Sequence, residues 1–158
     1  MTDYWITTGS TNPEAVVNPL AAACTERDYV PDEVRVLDNP GVHDQTARTV
    51  DLLETVIDAH GGTATVETTR LDEETDFQAI VDHFQSGIKA ADSDDTVAFD
   101  VTPGRKFMSA IAFQAGFQFE ADHVFYLHVT SGDLFGRVYP DLPQTATTLY
   151  DFLEVFWR

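Results

Sequence analysis

Two apolar rhythms alternate along this chain. Residues 3–9 (DYWITTG), 33–38 (EVRVLD), 63–71 (TATVETTRL), 96–102 (TVAFDVT) and 123–130 (HVFYLHVT) are rich in β-branched and aromatic side chains and read as strands. TVAFDV and HVFYLHV are continuous apolar runs, the pattern of strands covered on both faces, with Asp100 as the exception. Between the strands the spacing changes to three and four. Val16, Val17, Leu20, Ala21 and Cys24 predict a helix over 13–24, and Val50, Leu53, Val56 and Ile57 one over 42–60 that stops at HGG. Phe77, Ile80, Val81, Phe84 and Ile88 predict a helix over 75–91. Phe107, Met108, Ile111, Ala112 and Ala115 predict one over 103–115, with Gly116 as its stop. Regular strand–helix alternation builds a parallel sheet with helices on both faces. The expected fold class is therefore α/β: a three-layer α/β/α unit with a mainly parallel sheet of five or six strands, as one domain over 1–158. In the tail, FGRVYPDLPQTATT has room for a short edge strand interrupted by Pro140 and Pro143. Leu149, Phe152, Leu153 and Phe156 in TLYDFLEVFW fall at helical spacing and predict a short terminal helix.

Charge narrows the choice of partners. The chain holds 9 Lys+Arg against 27 Asp+Glu, a formal charge of −18. The acids are spread along the sequence, which gives a solvated acidic surface of the kind suited to a high-salt cytoplasm. Such a surface argues against duplex nucleic acid and against an anionic membrane, both of which need a basic face. No apolar run reaches the roughly 18 residues of a membrane span, and the N-terminus MTDYWITTGS lacks the layout of a signal peptide, so a cytoplasmic protein is expected. The single cysteine, Cys24, allows no internal disulfide and reads as a buried structural thiol. His43, His60, His83, His123 and His128 show no metal-ligand spacing, so neither a metal nor a cofactor is expected. His128, inside an apolar strand, reads as a core residue.

The basic residues are few, and two of them are adjacent. Arg105 and Lys106 stand in DVTPGRKFMS, just after the fourth strand and at the start of the next helix. Cations at a helix N-terminus oppose the helix dipole by roughly 0.3–1 kcal/mol each. An anion resting on the free N–H groups there reverses that sign, so the pair points to a phosphate. Ion pairing with surface carboxylates is the alternative use. The first strand ends in TTGSTNP, which has the same grammar of hydroxyls, glycine and a helix-starting proline. Both helices thus begin at the carboxyl edge of the sheet, where open α/β folds bind ligands. Neither loop is a Walker A or GxGxxG motif, and there is no GxSxG elbow. A third loop, LDNPGVHDQT, offers Asp38 and Asn39 to a base or ribose, or else forms a plain turn.

The stretches TTGSTNPEAVVNPL and DVTPGRKFMSAIAF, with the order of elements over about 1–135, resemble the two ligand loops of CRISPR-associated Rossmann-fold (CARF) domains. The resemblance implies a Rossmann-like homodimer that senses cyclic oligoadenylate across its two-fold axis in antiviral signalling. It implies that Gly9, Ser10, Thr11 and Asn12 contact the ring, that Thr102, Gly104, Arg105 and Lys106 hold phosphate and ribose, and that Met108 closes the site. Pro103 departs from the small flexible residue usual in that family. No effector motif is visible, which leaves room for a separate effector protein. Two alternatives stay open. One is a metal-independent ring nuclease on the same site, with Ser10, Arg105 and Lys106 as the catalytic residues. The other is a regulatory or interaction domain without nucleotide.

Overall fold

The computed structural model describes residues 1–157. Five parallel strands and one antiparallel strand form a single sheet. They are β1 (Asp3–Thr8), β2 (Glu33–Asp38), β3 (Thr65–Arg70), β4 (Thr96–Asp100), β5 (His123–Val129) and β6 (Thr147–Asp151), in the order β3-β2-β1-β4-β5-β6. Strand period two sorts the core. Trp5, Val34, Val36, Ala98, Phe125 and Leu127 face one layer, where they meet α1 (Pro13–Arg27) and α2 (His43–Ala59). Tyr4, Ile6, Leu37, Val97, Phe99 and Val124 face the other, against α3 (Phe77–Ala90) and α4 (Lys106–Gln118). β1 and β4, at the centre, are buried along almost their whole length, as the continuous apolar run of β4 requires; β5, the other continuous run, is only partly covered, with His128 exposed. β3 is exposed along most of its length, in keeping with the Thr and Glu of TVETTR and its place at the edge.

Several boundaries depart from the sequence reading, α1 running on to Arg27 instead of residue 24 among them. The fourth helix begins at Lys106 instead of residue 103, because Gly104 sits at φ +89°, a left-handed conformation that cannot belong to the helix. The same helix passes through Gly116 to Gln118; Gly116 lies against Val124 of β5 and lets helix and sheet close up instead of ending the helix. In the tail, the stretch around Pro140 and Pro143 forms short 3₁₀ turns, and the edge strand is β6, made from Thr147–Asp151. Leu149 therefore belongs to a strand, and the terminal helix α5 spans only Phe152–Phe156. Its start is set by Asp151. One carboxylate oxygen accepts the amides of Leu153 and Val124, and the other accepts from His123 Nδ1 at 2.8 Å. Among the described residues no helix is long and apolar enough to cross a membrane. Cys24 is buried, and burial pushes its thiol up to about 12, as expected of a structural residue.

Candidate functional site

The strand order places a topological switch point between β1 and β4. The chain leaves β1 for a helix on one face and leaves β4 for a helix on the other, so a crevice opens at their carboxyl ends. The loops entering it are those containing Ser10 and Arg105, and they touch. The Thr8 hydroxyl donates to the Pro103 carbonyl at 3.1 Å, and the Ser109 hydroxyl donates to the same oxygen at 3.3 Å. A Cβ on Gly104 would lie 2.6 Å from Thr8 Oγ1, so only glycine permits this approach. On the other side a Cβ on Gly9 would meet Val42 Cγ2 at 2.8 Å and the Leu37 carbonyl at 3.0 Å. Gly9 thus holds the first loop against the start of α2, with its N–H bonded to that carbonyl at 2.8 Å.

Beneath the contact lies a buried polar layer. Asp100 is 1% exposed; one carboxylate oxygen accepts from the Thr7 hydroxyl at 2.9 Å and the other from the Thr102 amide at 3.0 Å. Burial pushes Asp100 up to about 7, against the opposing pull of these bonds. His83, equally buried, donates from Nε2 to the Thr7 carbonyl at 2.9 Å while its Nδ1 has no partner. Burial holds this imidazole down at about 4, so it is neutral at ordinary pH. Thr7 therefore joins the two buried groups to the first loop.

Two clefts flank the loop contact. The larger, about 370 Å³, lies between the start of α1 and the β5–β6 connection and includes Asn12, Glu14, Thr102, His128 and Phe135. The smaller, about 350 Å³, includes Gly9, Ser10, Thr11, Asn39, Gly104 and Arg105. Seven of the nine residues named from the sequence line one cleft or the other: Asn12 and Thr102 the larger, and Gly9, Ser10, Thr11, Gly104 and Arg105 the smaller. Lys106 is exposed at the first turn of α4 and makes no ion pair among the described residues. Met108 is fully buried beneath Gly104 and supports the loop from the core instead of lining either cleft. Arg105 pairs with Glu74, whose carboxyl this guanidinium holds below its usual value. Both ends of that pair are solvated, so the bond contributes little and an incoming anion can replace the carboxylate.

Sequence reasoning misplaced some groups and missed others. His128 is exposed and lines the larger cleft instead of the core, because strand alternation turns it outward beyond Leu127. Asp38 is spent internally. It accepts from His43 Nδ1 and from the Thr46 hydroxyl, each at 2.7 Å, and so organises the start of α2. Asn39 Oδ1 accepts the Gly41 amide at 3.1 Å, and that residue remains in the wall of the smaller cleft. Glu14, Glu74 and Phe135 line the clefts without any sequence motif to announce them. The wall formed by the β5–β6 connection is fastened by Asn18, which bonds the Arg137 carbonyl at 2.7 Å and the Tyr139 amide at 2.8 Å. Among the described residues no group of three or more His, Cys, Asp and Glu side chains converges as a metal site would need.

Comparison with known proteins places this architecture. Can2 from Sulfobacillus thermosulfidooxidans, solved in complex with cyclic tetra-adenylate, matches 83% of this chain and 32% of its own at TM-score 0.60 and 16% identity. Enterococcus italicus Csm6, solved bound to cyclic hexa-2′-fluoro-hexa-dAMP, matches 98% of this chain and 42% of its own at TM-score 0.62 and 14% identity. At such identities the likeness is one of fold, and the chain spans less than half the length of either. No curated protein matches in sequence. The family model described as CRISPR-associated protein NE0113 matches residues 15–144, most of the chain, and the protein belongs to that CRISPR-associated family.

Proposed function

We propose that residues 1–158 act as one sensor domain that binds cyclic oligoadenylate, working as a homodimer in the cytoplasm and passing its signal to a separate effector. The observation that carries this reading is the pair of abutting loops at the switch point, with Ser10, Thr11, Gly104 and Arg105 around one cleft and Lys106 beside it. Here an acidic chain gathers two helix starts and an adjacent pair of cations at a concave surface. Two proteins of the same fold, solved with cyclic adenylates, support the choice of ligand. A two-fold assembly places two copies of the basic pair around one polyanion and relieves the charge conflict that a single copy faces.

Titration calorimetry with cyclic tetra- and hexa-adenylate in concentrated KCl tests the proposal. Binding is expected at one ring per two chains, with the ring recovered intact. Recovery of linear product instead assigns the site to ring cleavage by Ser10, Arg105 and Lys106. Replacing Arg105 and Lys106 together by Ala is expected to weaken binding by at least tenfold with the circular dichroism unchanged. Normal binding by that variant removes the basic pair from the site.

A further inference from the structure

The connection from β3 to α3 reads LDEETD, Leu71–Asp76, and it reaches the site from a third direction, beside the two loops already described. Of its acids, Asp76 is spent on the start of α3, where its carboxylate accepts the Ala79 amide at 3.1 Å. Glu74 faces the smaller cleft instead. It lines that cleft together with Arg105 and pairs with the guanidinium, and it is half-buried while the residues on either side of it are exposed. Just beyond, Phe77 of α3 stands edge-on to Phe107 of α4, with ring centroids 5.3 Å apart. An ion pair and an aromatic contact together tie the head of α3 to the start of α4.

A cation at the start of a helix calls for an anion, and here Glu74 supplies one from within the chain. A carboxylate and a phosphodiester each carry one negative charge and accept the same N–H donors, so one replaces the other on a guanidinium with the local charge unchanged. Both together set two like charges against one cation, and they repel. Resting on the reading of this site as one for cyclic adenylates, we infer that Glu74 is a built-in competitor for the ring: its carboxylate holds Arg105 until a phosphate of the ring displaces it, and the displacement unties the β3–α3 connection from α4. The exchange takes away part of the affinity that Arg105 offers the ring. In return it converts capture of a phosphate at α4 into release of an acidic segment at the head of α3, a change at the surface that an effector can read.

The test measures affinity for an adenylate ring, of whichever size the wild type binds, and amide hydrogen exchange with and without that ring. Glu74→Gln is expected to bind the ring about threefold to fivefold more tightly, the share of affinity that a solvated ion pair can withhold. Glu73→Gln removes the same formal charge from the neighbouring residue, outside the pair with Arg105, and is expected to bind as the wild type does. Addition of the ring to the wild type is expected to speed exchange of the amides between Glu74 and Ile80. Glu74→Gln is expected to show that faster exchange before any ring is added. Unchanged affinity in Glu74→Gln, an equal gain in Glu73→Gln, or exchange at the head of α3 that the ring leaves unchanged or slows overturns the competitor while leaving the sensor reading standing. Failure of the wild type to bind any adenylate ring overturns both.

Discussion

Two buried side chains beneath the loops set opposite pH dependences. Asp100, raised to about 7 by burial, keeps its proton in the folded state where the unfolded chain has released it. Its contribution to stability is complete below the unfolded value near 4 and is lost as pH rises through 7. His83, lowered to about 4, is neutral when folded, so its contribution is complete above 6.5 and is lost as pH falls through 4. Between pH 4.5 and 6.5 the two slopes oppose each other, each reaching at most about 1.4 kcal/mol per pH unit. Urea unfolding across that window is expected to show stability rising with pH in Asp100→Asn and falling with pH in His83→Gln, each relative to the wild type. Curves parallel to the wild type would show that neither group titrates as its burial dictates. Asp100 was visible in the sequence as the one charge inside an apolar strand. The position of His83 beneath Thr7 was not, because the two lie 76 residues apart and meet only when α3 packs on the sheet.

The elements follow local chemistry closely, and their ends reveal what local chemistry leaves out. The strand and helix cores were legible from period and β-branching alone. The start of α4 was not, since proline ahead of a helix usually occupies its first turn. Here the Pro103 carbonyl is taken by two hydroxyls from other segments, and Gly104 turns left-handed to let the chain pass Thr8. Gly104→Ala meets both the strained φ and the 2.6 Å contact with Thr8 Oγ1. It is expected to cost about 1–3 kcal/mol in thermal or urea unfolding, as side chains forced into that backbone region do. It is also expected to weaken adenylate binding, because the two loops must separate. Stability and affinity equal to the wild type would mean that the loops do not depend on this contact. The C-terminal segment shows the same limit. Leu149 and Phe152 keep helical spacing, yet the chain pairs with β5 as far as Asp151 because an otherwise open sheet edge is available there. Beyond it, Phe156 and Trp157 remain 61% and 78% exposed, next to the aromatic contacts of Phe113 with Phe117 and Phe152.

At the scale of the whole molecule, charge and topology act separately. A net charge of −18 on 158 residues favours solubility and opposes compactness through self-repulsion. Salt shortens the reach of that repulsion from about 8 Å at 0.15 M to about 3 Å at 1 M. Melting temperature is therefore expected to climb steadily with KCl over this range. Each 1 kcal/mol of relieved repulsion raises it by about 2–4 °C for a domain of this size. A flat or falling profile would show that the acids are balanced locally. Topology decides where a ligand goes despite that field. The order β3-β2-β1-β4-β5-β6 sets the carboxyl ends of β1 and β4 side by side and divides their helices between the two faces. A crevice lined by Gly9, Ser10, Gly104, Arg105 and its partner Glu74 results on a molecule of net negative charge.

The residues alone determined the cores and order of the first five strands and four helices, and marked two helix starts rich in hydroxyls and glycine as candidates for chemistry. These are properties of short windows, where side-chain period, capping and turn preference act within a few positions. The tertiary structure decided that Thr8 meets Pro103 across 95 residues, that Met108 is buried under the loop, and that Asn18 fastens the β5–β6 connection to α1. Such outcomes depend on strand order and layer packing, which are set by the burial of the whole core and leave no mark in any short stretch of sequence.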